Sequence, residues 1–161
     1  MASKAEISAA ILRGNRDVQQ VFGSLTDTQL DTPAQQDAGT WTVGDVLGYL
    51  AGREQVYAMM YQAARGDNPF AVISNFNAWN EERVVERRGE ARDDLLAEFR
   101  AVHEALLAQI EATDNAELAQ VVSLGARQAT LGDLLIGSGG QHSTSHATEV
   151  ASVLGLEAPE A

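Results

Sequence analysis

The sequence predicts an all-α protein, a four-helix bundle with a long crossover between its second and third helices. Aromatic residues make up only 6% of the 161 residues and prolines number three, which favours helices over a β-sandwich. Apolar residues recur at helical spacing in four long segments. Three of these segments begin with Ser or Thr followed three positions later by an acidic residue, the pattern of a helix N-cap. The three pairs are Ser3 and Glu6, Thr42 and Asp45, and Thr130 and Asp133.

The first two helices are separated by a polar loop. The first helix follows Ser3, and its apolar stripe extends to Leu25. Residues 26–40 contain proline, glycine and many polar residues, which indicates a connecting loop. The second helix is predicted to run without a break from its cap at Thr42 to a stop at Gly66.

The crossover is predicted to contain one short helix of its own. The stretch DNPFAVIS reads as a turn or loop, and NFNAWNEERVVERRG follows it as a short helix. The third long helix spans about residues 93–112, where leucine, phenylalanine, valine and isoleucine form an apolar face opposite Glu and Arg. An irregular link containing Gly125 leads to the last helix, which is predicted from Thr130 to about Leu154.

The last helix contains a cluster of glycines, Gly137, Gly139 and Gly140. Each glycine costs up to about 1 kcal/mol of helix propensity relative to alanine. Close packing against a neighbouring helix, or a local kink, is the favoured explanation. The alternative is that the glycines leave room for a ligand beside His142.

Composition and charge exclude several classes of protein. There are 11 Lys and Arg against 23 Asp and Glu, a formal charge of −12, which repels nucleic acids and anionic lipids. The absence of cysteine removes disulfides, thiolate zinc sites and a cysteine nucleophile. No apolar stretch is long enough for a membrane span. We therefore expect a cytoplasmic protein with one domain over residues 1–156, a flexible acidic tail over 157–161, and neither nucleic acid nor membrane as a partner.

Two histidines, His142 and His146, lie four positions apart in the last helix and so share a face. Glu149 lies about two turns after His142, on the same face. The spacing is compatible with a pair of metal ligands, a catalytic pair, or two polar residues on a solvated face. The third histidine, His103, is expected at the boundary or surface of the third helix rather than as a ligand.

Several motifs together resemble a known superfamily. WTVGDVLGYLAGRE in the second helix, followed much later by HSTSHATEV, is similar to the DinB superfamily of four-helix bundles. FNAWNEERV, between them, resembles the ClbS/DfsB branch. The resemblance extends over residues 4–154 and implies the bundle fold. The superfamily includes metal-dependent transferases and isomerases, small-molecule resistance proteins and members of unknown activity, so fold alone does not define function.

The resemblance draws attention to Tyr49. Where many DinB relatives have a third metal-binding histidine, this chain has Tyr49, and members of the ClbS/DfsB branch often carry tyrosine there. A buried phenol can donate a proton or stabilise an oxyanion, but it binds zinc or nickel less readily than imidazole because it must first lose its proton. The other reading of Tyr49 is an ordinary core residue with one hydrogen-bond partner.

Residues near the crossover complete the set of candidates. Asn77, Trp79 and Asn80 can line the mouth of a pocket, although a capped turn with Trp79 covering the core is favoured. Trp41 is expected to be a hydrophobic staple at a helix start rather than a substrate contact.

Three classes of function remain open. The first is a ClbS/DfsB-type enzyme with hydrolase-like activity on a small electrophilic or toxic molecule, with Tyr49, His142 and His146 as catalytic residues and Asn77, Trp79, Asn80 and Glu149 as binding residues. The second is a module that binds the molecule without turnover. The third is a purely structural or oligomerisation protein, and a homodimer is compatible with all three. We expect no cofactor; the alternative is a metal-dependent hydrolase or transferase with zinc or nickel at His142 and His146.

Overall fold

A computed structural model describes residues 2–34, 41–124 and 127–160 of the chain. Its helices are α1 (Lys4–Phe22), α2 (Asp27–Leu30), α3 (Val43–Ala51), α4 (Glu54–Ala64), α5 (Phe76–Glu86), α6 (Arg92–Ala112), α7 (Asn115–Leu118), α8 (Leu131–Leu135) and α9 (His142–Leu154). A 3₁₀ turn spans Pro69–Val72, and a π-helical segment, Ile136–Gln141, joins α8 to α9. Strands β1 (Val121–Leu124) and β2 (Arg127–Thr130) form an antiparallel hairpin.

The fold is a four-helix bundle, as predicted, in which α1 packs against α6, α9 and the π-helical segment. Apolar side chains from α1, α3, α6 and α9 fill one end of the core. Side chains from α1, α4, α6, α8 and the hairpin fill the other end. In the described ranges, no helix is both long and apolar enough to cross a membrane.

The three predicted N-caps are confirmed. The hydroxyls of Ser3, Thr42 and Thr130 each accept a hydrogen bond from the backbone N–H three residues later. The short crossover helix is present as α5 and the third long helix as α6. Because each hydroxyl satisfies a backbone donor that has no partner within its helix, the caps fix where the helices begin.

The two predicted loops contain more structure than expected. The short helix α2 (Asp27–Leu30) lies in the first of them and has its own capping box, in which Thr26 and Gln29 cap each other. The rest of that predicted loop includes residues 35–40, which lie outside the described residues. The link after α6 contains α7 and the hairpin, while Gly125 itself also lies outside the described residues. Four-residue elements such as these carry too few apolar positions to show a period.

The prediction of one unbroken second helix is wrong. The chain leaves helical geometry at Gly52, where φ is −83° and ψ is 16°, and α4 starts after Arg53. Glycine weakens the helix at this point, and the Arg53 carbonyl restarts it by accepting from Val56 and Tyr57. The stop at Gly66 is confirmed, since its φ of +98° is a left-handed conformation that favours glycine.

The last helix is interrupted by the π-helical segment, which the sequence did not predict. A Cβ on Gly140 would lie 2.7 Å from the Ala10 carbonyl carbon of α1, and one on Gly139 would lie 3.1 Å from Ile11 Cγ1. Close packing therefore explains these two glycines, in agreement with the favoured prediction. Gly137 has no atom within 4 Å of a Cβ position and faces open space instead.

A buried polar contact ties α9 to α1. The carboxylate of Asp17 is fully buried, accepts a hydrogen bond from Thr144 Oγ1 at 2.8 Å and pairs with Arg16 at 3.1 Å. Thr144 lies between His142 and His146 in the sequence. The contact therefore fixes the rotation of α9 and with it the direction of the two histidines.

Candidate functional site

The site is a line of polar side chains between α3, α4 and α9. Arg53 Nη1 donates to Tyr49 Oη at 2.7 Å, and Tyr49 Oη lies 3.0 Å from His142 Nε2. His142 Nε2 is in turn 3.2 Å from His146 Nε2. Tyr49 and Arg53 come from either side of the helix break, whereas the histidines come from two successive turns of α9. The structure thus brings together the three predicted catalytic residues.

Glu149 lies on the outer side of the histidine pair. Its Oε2 is 3.3 Å from His146 Nδ1. An ionised carboxylate only accepts hydrogen bonds, so this contact places a proton on His146 Nδ1 and leaves Nε2 of neutral His146 as an acceptor. The proton shared by the two Nε2 atoms then belongs to His142. This assignment of tautomers follows from the hydrogen-bond partners.

Both histidines are neutral at pH 7. Burial, with the Arg53 charge next, lowers the pKa of His142 from 6.5 to about 3. Burial also lowers the pKa of His146, although the Glu149 carboxylate opposes that effect. His142 Nε2 carries one proton, which is shared between His146 Nε2 and Tyr49 Oη. Tyr49 Oη can therefore accept from His142 and Arg53 and keep its own proton for a third partner.

A cavity of about 480 Å³ opens beside this line of side chains. Arg53, Ser138 and His142 provide its polar inner wall, and Arg53 Nη2 donates to Ser138 Oγ. The volume lies in the range of pockets that hold small organic ligands. Tyr49 is half-buried and borders a narrower gap of about 10 Å³, which Arg53 also lines.

A larger cavity of about 790 Å³ contains none of the predicted site residues. It lies between α2, α3 and the start of α6, and its wall includes charged groups that pair with each other, such as Arg88 with Asp45 and Arg87 with Glu90. Groups that neutralise one another are poor candidates for chemistry. We therefore place the candidate site at the cavity of about 480 Å³, which Arg53 and His142 line.

Aromatic residues surround Tyr49. The Trp41 ring is buried, its centroid lies 5.2 Å from that of Tyr49, and its Nε1 donates to Glu81. Trp41 thus supports the candidate catalytic tyrosine, in addition to its predicted place at a helix start. Trp79 is partly buried and carries the Arg83 guanidinium over its face, 3.8 Å from the centroid.

The predicted binding amides differ in position. Asn80 and Trp79 line the narrow gap beside Tyr49. Asn77 is exposed and lines none of these cavities in the described part of the chain. The sequence placed all three near one pocket mouth because they are close in the chain, but Asn77 lies on another side of α5.

The prediction that His103 lies at a boundary or surface is wrong. Its side chain is fully buried, with Nδ1 2.8 Å from the Phe99 carbonyl and its ring 4.1 Å from the Phe99 ring. Burial lowers the pKa of His103, so it is a neutral core residue. The carbonyl four residues back satisfies the ring N–H, which allows this histidine to be buried within the helix.

The donors present fit a tightly held divalent metal poorly. The 3.2 Å separation of the two Nε2 atoms suits two ligands of one ion, given metal–nitrogen distances of about 2.0–2.1 Å. However, Tyr49 already accepts from the Arg53 cation, whose charge opposes a second cation nearby. No cluster of three His, Cys, Asp or Glu side chains able to hold a metal occurs in the described part of the chain.

Fold and site together define a DinB-superfamily bundle with tyrosine and arginine beside a histidine pair. The chain belongs to the family of the mycothiol maleylpyruvate isomerase N-terminal domain, whose model matches residues 12–135. This match confirms the predicted superfamily. No curated protein sequence matches the chain.

Three solved structures share the fold. YfiT from Bacillus subtilis, described as a probable metal-dependent hydrolase with an unusual four-helix bundle topology, is 22% identical with a TM-score of 0.72, covering 98% of this chain and 92% of YfiT. The colibactin self-resistance protein ClbS, in complex with double-stranded DNA, is 17% identical with a TM-score of 0.77, and the match covers 98% of this chain and 99% of ClbS. A histidine-to-alanine mutant of mycothiol-dependent maleylpyruvate isomerase is 13% identical with a TM-score of 0.73, covering 92% of this chain and 61% of that one.

Sequence reasoning missed Arg53 and Ser138 as members of the site. Arg53 could have been found, because it follows Tyr49 by four positions, the spacing that places two side chains on one helical face. Ser138 gives no such signal, since its contact with Arg53 joins segments 85 residues apart.

Proposed function

We propose that this chain binds a small electrophilic molecule beside Tyr49 and acts on it by proton transfer, as a hydrolase-like protective enzyme. The observation that carries the proposal is the position of Tyr49 Oη, 2.7 Å from Arg53 Nη1 and 3.0 Å from His142 Nε2. A phenol held between a fixed cation and a neutral imidazole is a suitable general acid.

Tyr49 would supply the proton that the reaction consumes. As the bond from the electrophilic carbon to its leaving atom breaks, Tyr49 protonates that atom, and the phenolate left behind is stabilised by the Arg53 cation. Water adds its hydroxide to the carbon. The remaining proton of the water returns to the phenolate. The chemistry therefore balances without a redox partner.

The histidines would hold Tyr49 in this state. The Glu149 carboxylate sets the tautomer of His146, and His146 sets that of His142 through the 3.2 Å contact between their Nε2 atoms. With its Nε2 proton directed towards His146 and Tyr49, His142 does not take the proton of the phenol. This role resembles the orienting groups of catalytic triads.

Replacing Tyr49 with phenylalanine tests the proposal, since only the hydroxyl is removed. We expect turnover of reactive epoxides, cyclopropanes or activated esters to fall by at least about 100-fold, with an almost unchanged circular-dichroism melt. Tyr61→Phe is the matched control, because the Tyr61 hydroxyl is bonded to Thr113 in another part of the core. Full activity in both Tyr49→Phe and His146→Ala would disprove the assignment. Protection that saturates at one molecule per chain would show binding without turnover.

A further inference from the structure

Arg53 has an unusual environment for an arginine. Its side chain is buried, with 8% of the residue exposed. The guanidinium donates to two neutral hydroxyls, those of Tyr49 and Ser138, while its buried Nε has no hydrogen-bond partner. Neither hydroxyl neutralises the positive charge. Such an uncompensated charge is costly in a protein interior.

Other arginines of the chain have their positive charge paired with a carboxylate. Within the described ranges, Arg53 forms no ion pair. Six other arginines, all more exposed than Arg53, each have a carboxylate within 4 Å; these are Arg13, Arg16, Arg65, Arg87, Arg88 and Arg92. The chain has 23 acidic residues, so carboxylates are plentiful. The buried cation is therefore left without an anion where the protein could have supplied one.

Space for an anion lies directly beside the guanidinium. Arg53 lines the cavity of about 480 Å³ together with Ser138 and His142. At the far wall are the exposed side chains of Arg127 and Gln128 from the hairpin. One carboxylate, Asp133, also borders the cavity, but it is engaged in the cap of α8, 2.7 Å from Thr130 Oγ1.

Apart from Gln141, the rest of the cavity lining is apolar. Met60 from α4, Leu124 from β1 and Leu134 from α8 line it between the polar groups. A pocket with apolar walls and one buried guanidinium, whose N–H groups can donate to a carboxylate, matches an organic molecule with a single charged end. Inorganic ions would leave these apolar walls in contact with water.

We propose that this cavity binds a small organic carboxylate, with the carboxylate on the Arg53 guanidinium and the apolar body against Met60, Leu124 and Leu134. This proposal extends the proposed function, because it specifies that the ligand is negatively charged. The proposal of a carboxylate ligand depends on the proposed function in one respect only, namely that this cavity is the substrate site. Binding is measured without turnover, so failure of one proposal is distinguishable from failure of the other.

Titration calorimetry of the full chain with benzoate and with benzamide tests the site. The two probes have nearly the same shape, and only benzoate is charged. We expect benzoate to bind with one site per chain and at least about tenfold more tightly than benzamide, since a hydrogen-bonded charge pair is worth more than a neutral contact. Equal affinity for the two probes, or no binding of benzoate, would overturn the proposal without any mutant.

Substitutions of Arg53 test whether benzoate binds at this residue. Arg53→Gln should weaken benzoate binding by at least about tenfold, and Arg53→Lys, which keeps the charge but loses the planar fork, should lie between it and the unmodified protein. Arg100→Gln is the control, because it removes one positive charge from an exposed position on α6. Unchanged benzoate affinity in a folded Arg53→Gln protein would refute the assignment to Arg53. Inorganic phosphate should bind more weakly than benzoate, and tighter binding would refute the role of the apolar walls.

Discussion

Arg53 acts electrostatically on both histidines of the site. Its charge lowers the pKa of both His142 and His146, in addition to the effect of burial. The same charge stabilises the phenolate form of Tyr49 in the proposed reaction. The Arg53 cation thus adds to the effect of burial in keeping the histidines neutral, because a nearby cation disfavours protonated imidazole.

The stability of the protein should decrease as the pH falls below about 6.5. Burial lowers the pKa of His142 to about 3 in the folded protein, whereas the ordinary value of 6.5 applies in the unfolded chain. Between these values the unfolded chain takes up a proton that the folded protein does not, so acid favours unfolding. At pH 5 this linkage costs about 2 kcal/mol for His142 alone.

Urea unfolding at pH 7 and pH 5 measures the effect. His142→Gln removes the titrating group and keeps a polar side chain, so its free energy of unfolding should change less between the two pH values than that of the unmodified protein. The lowered pKa values of His103 and His146 leave part of the dependence in the variant. An identical slope in both proteins would show that His142 does not remain neutral when folded.

The histidine pair should bind zinc or nickel weakly or not at all. Two neutral imidazoles without a third strong ligand leave most of the coordination to water, and the cation Arg53 lies next to the only other donor matched to the site, Tyr49. Elemental analysis of protein purified without a histidine tag, followed by titration with zinc, measures this. One metal per chain that is lost in His142→Ala would contradict the prediction and restore a metal-dependent mechanism.

At the scale of elements, the sequence predicts helix starts better than helix interruptions. Caps such as Ser3 with Glu6 are local, so they could be read directly. The break at Gly52 rests on a glycine that helices also tolerate, and the π-helical segment at residues 136–141 accompanies close packing of its glycines against the distant helix α1. Tyr49, His142 and His146 could be predicted from local motifs, while the contact of Arg53 with Ser138, which joins segments 85 residues apart, could not.

The approach of α1 to the π-helical segment should depend on Gly140. An alanine Cβ there would lie 2.7 Å from backbone atoms of Ala10, which cannot move aside as a flexible side chain could. We expect Gly140→Ala to lose about 1–3 kcal/mol of stability, lowering the melting temperature by several degrees. Gly137→Ala is the control, because no atom lies within 4 Å of that Cβ; equal melting temperatures for both variants would contradict the packing.

At the scale of the whole molecule, the net charge of the chain bears on whether it could share the DNA partner of one structural neighbour. ClbS, which shares the fold at 17% identity, has been crystallised with double-stranded DNA. This chain carries a formal charge of −12, from 11 basic and 23 acidic residues. A shared fold does not transfer a nucleic-acid interface, because such an interface requires positive charge along the phosphate backbone.

We predict that the protein does not bind duplex DNA at physiological salt. Non-specific binding comes from the release of counterions when Lys and Arg neutralise phosphates, and proteins that bind in this way have dissociation constants of about 10⁻⁴–10⁻⁶ M. With acidic residues in a twofold excess, the long-range field repels the duplex instead. Fluorescence anisotropy of a labelled duplex, measured at low and physiological salt, should show no saturable binding in that range. Micromolar affinity that weakens with added salt, and that is lost on charge reversal of exposed arginines such as Arg100, would show that a local basic surface overcomes the net charge.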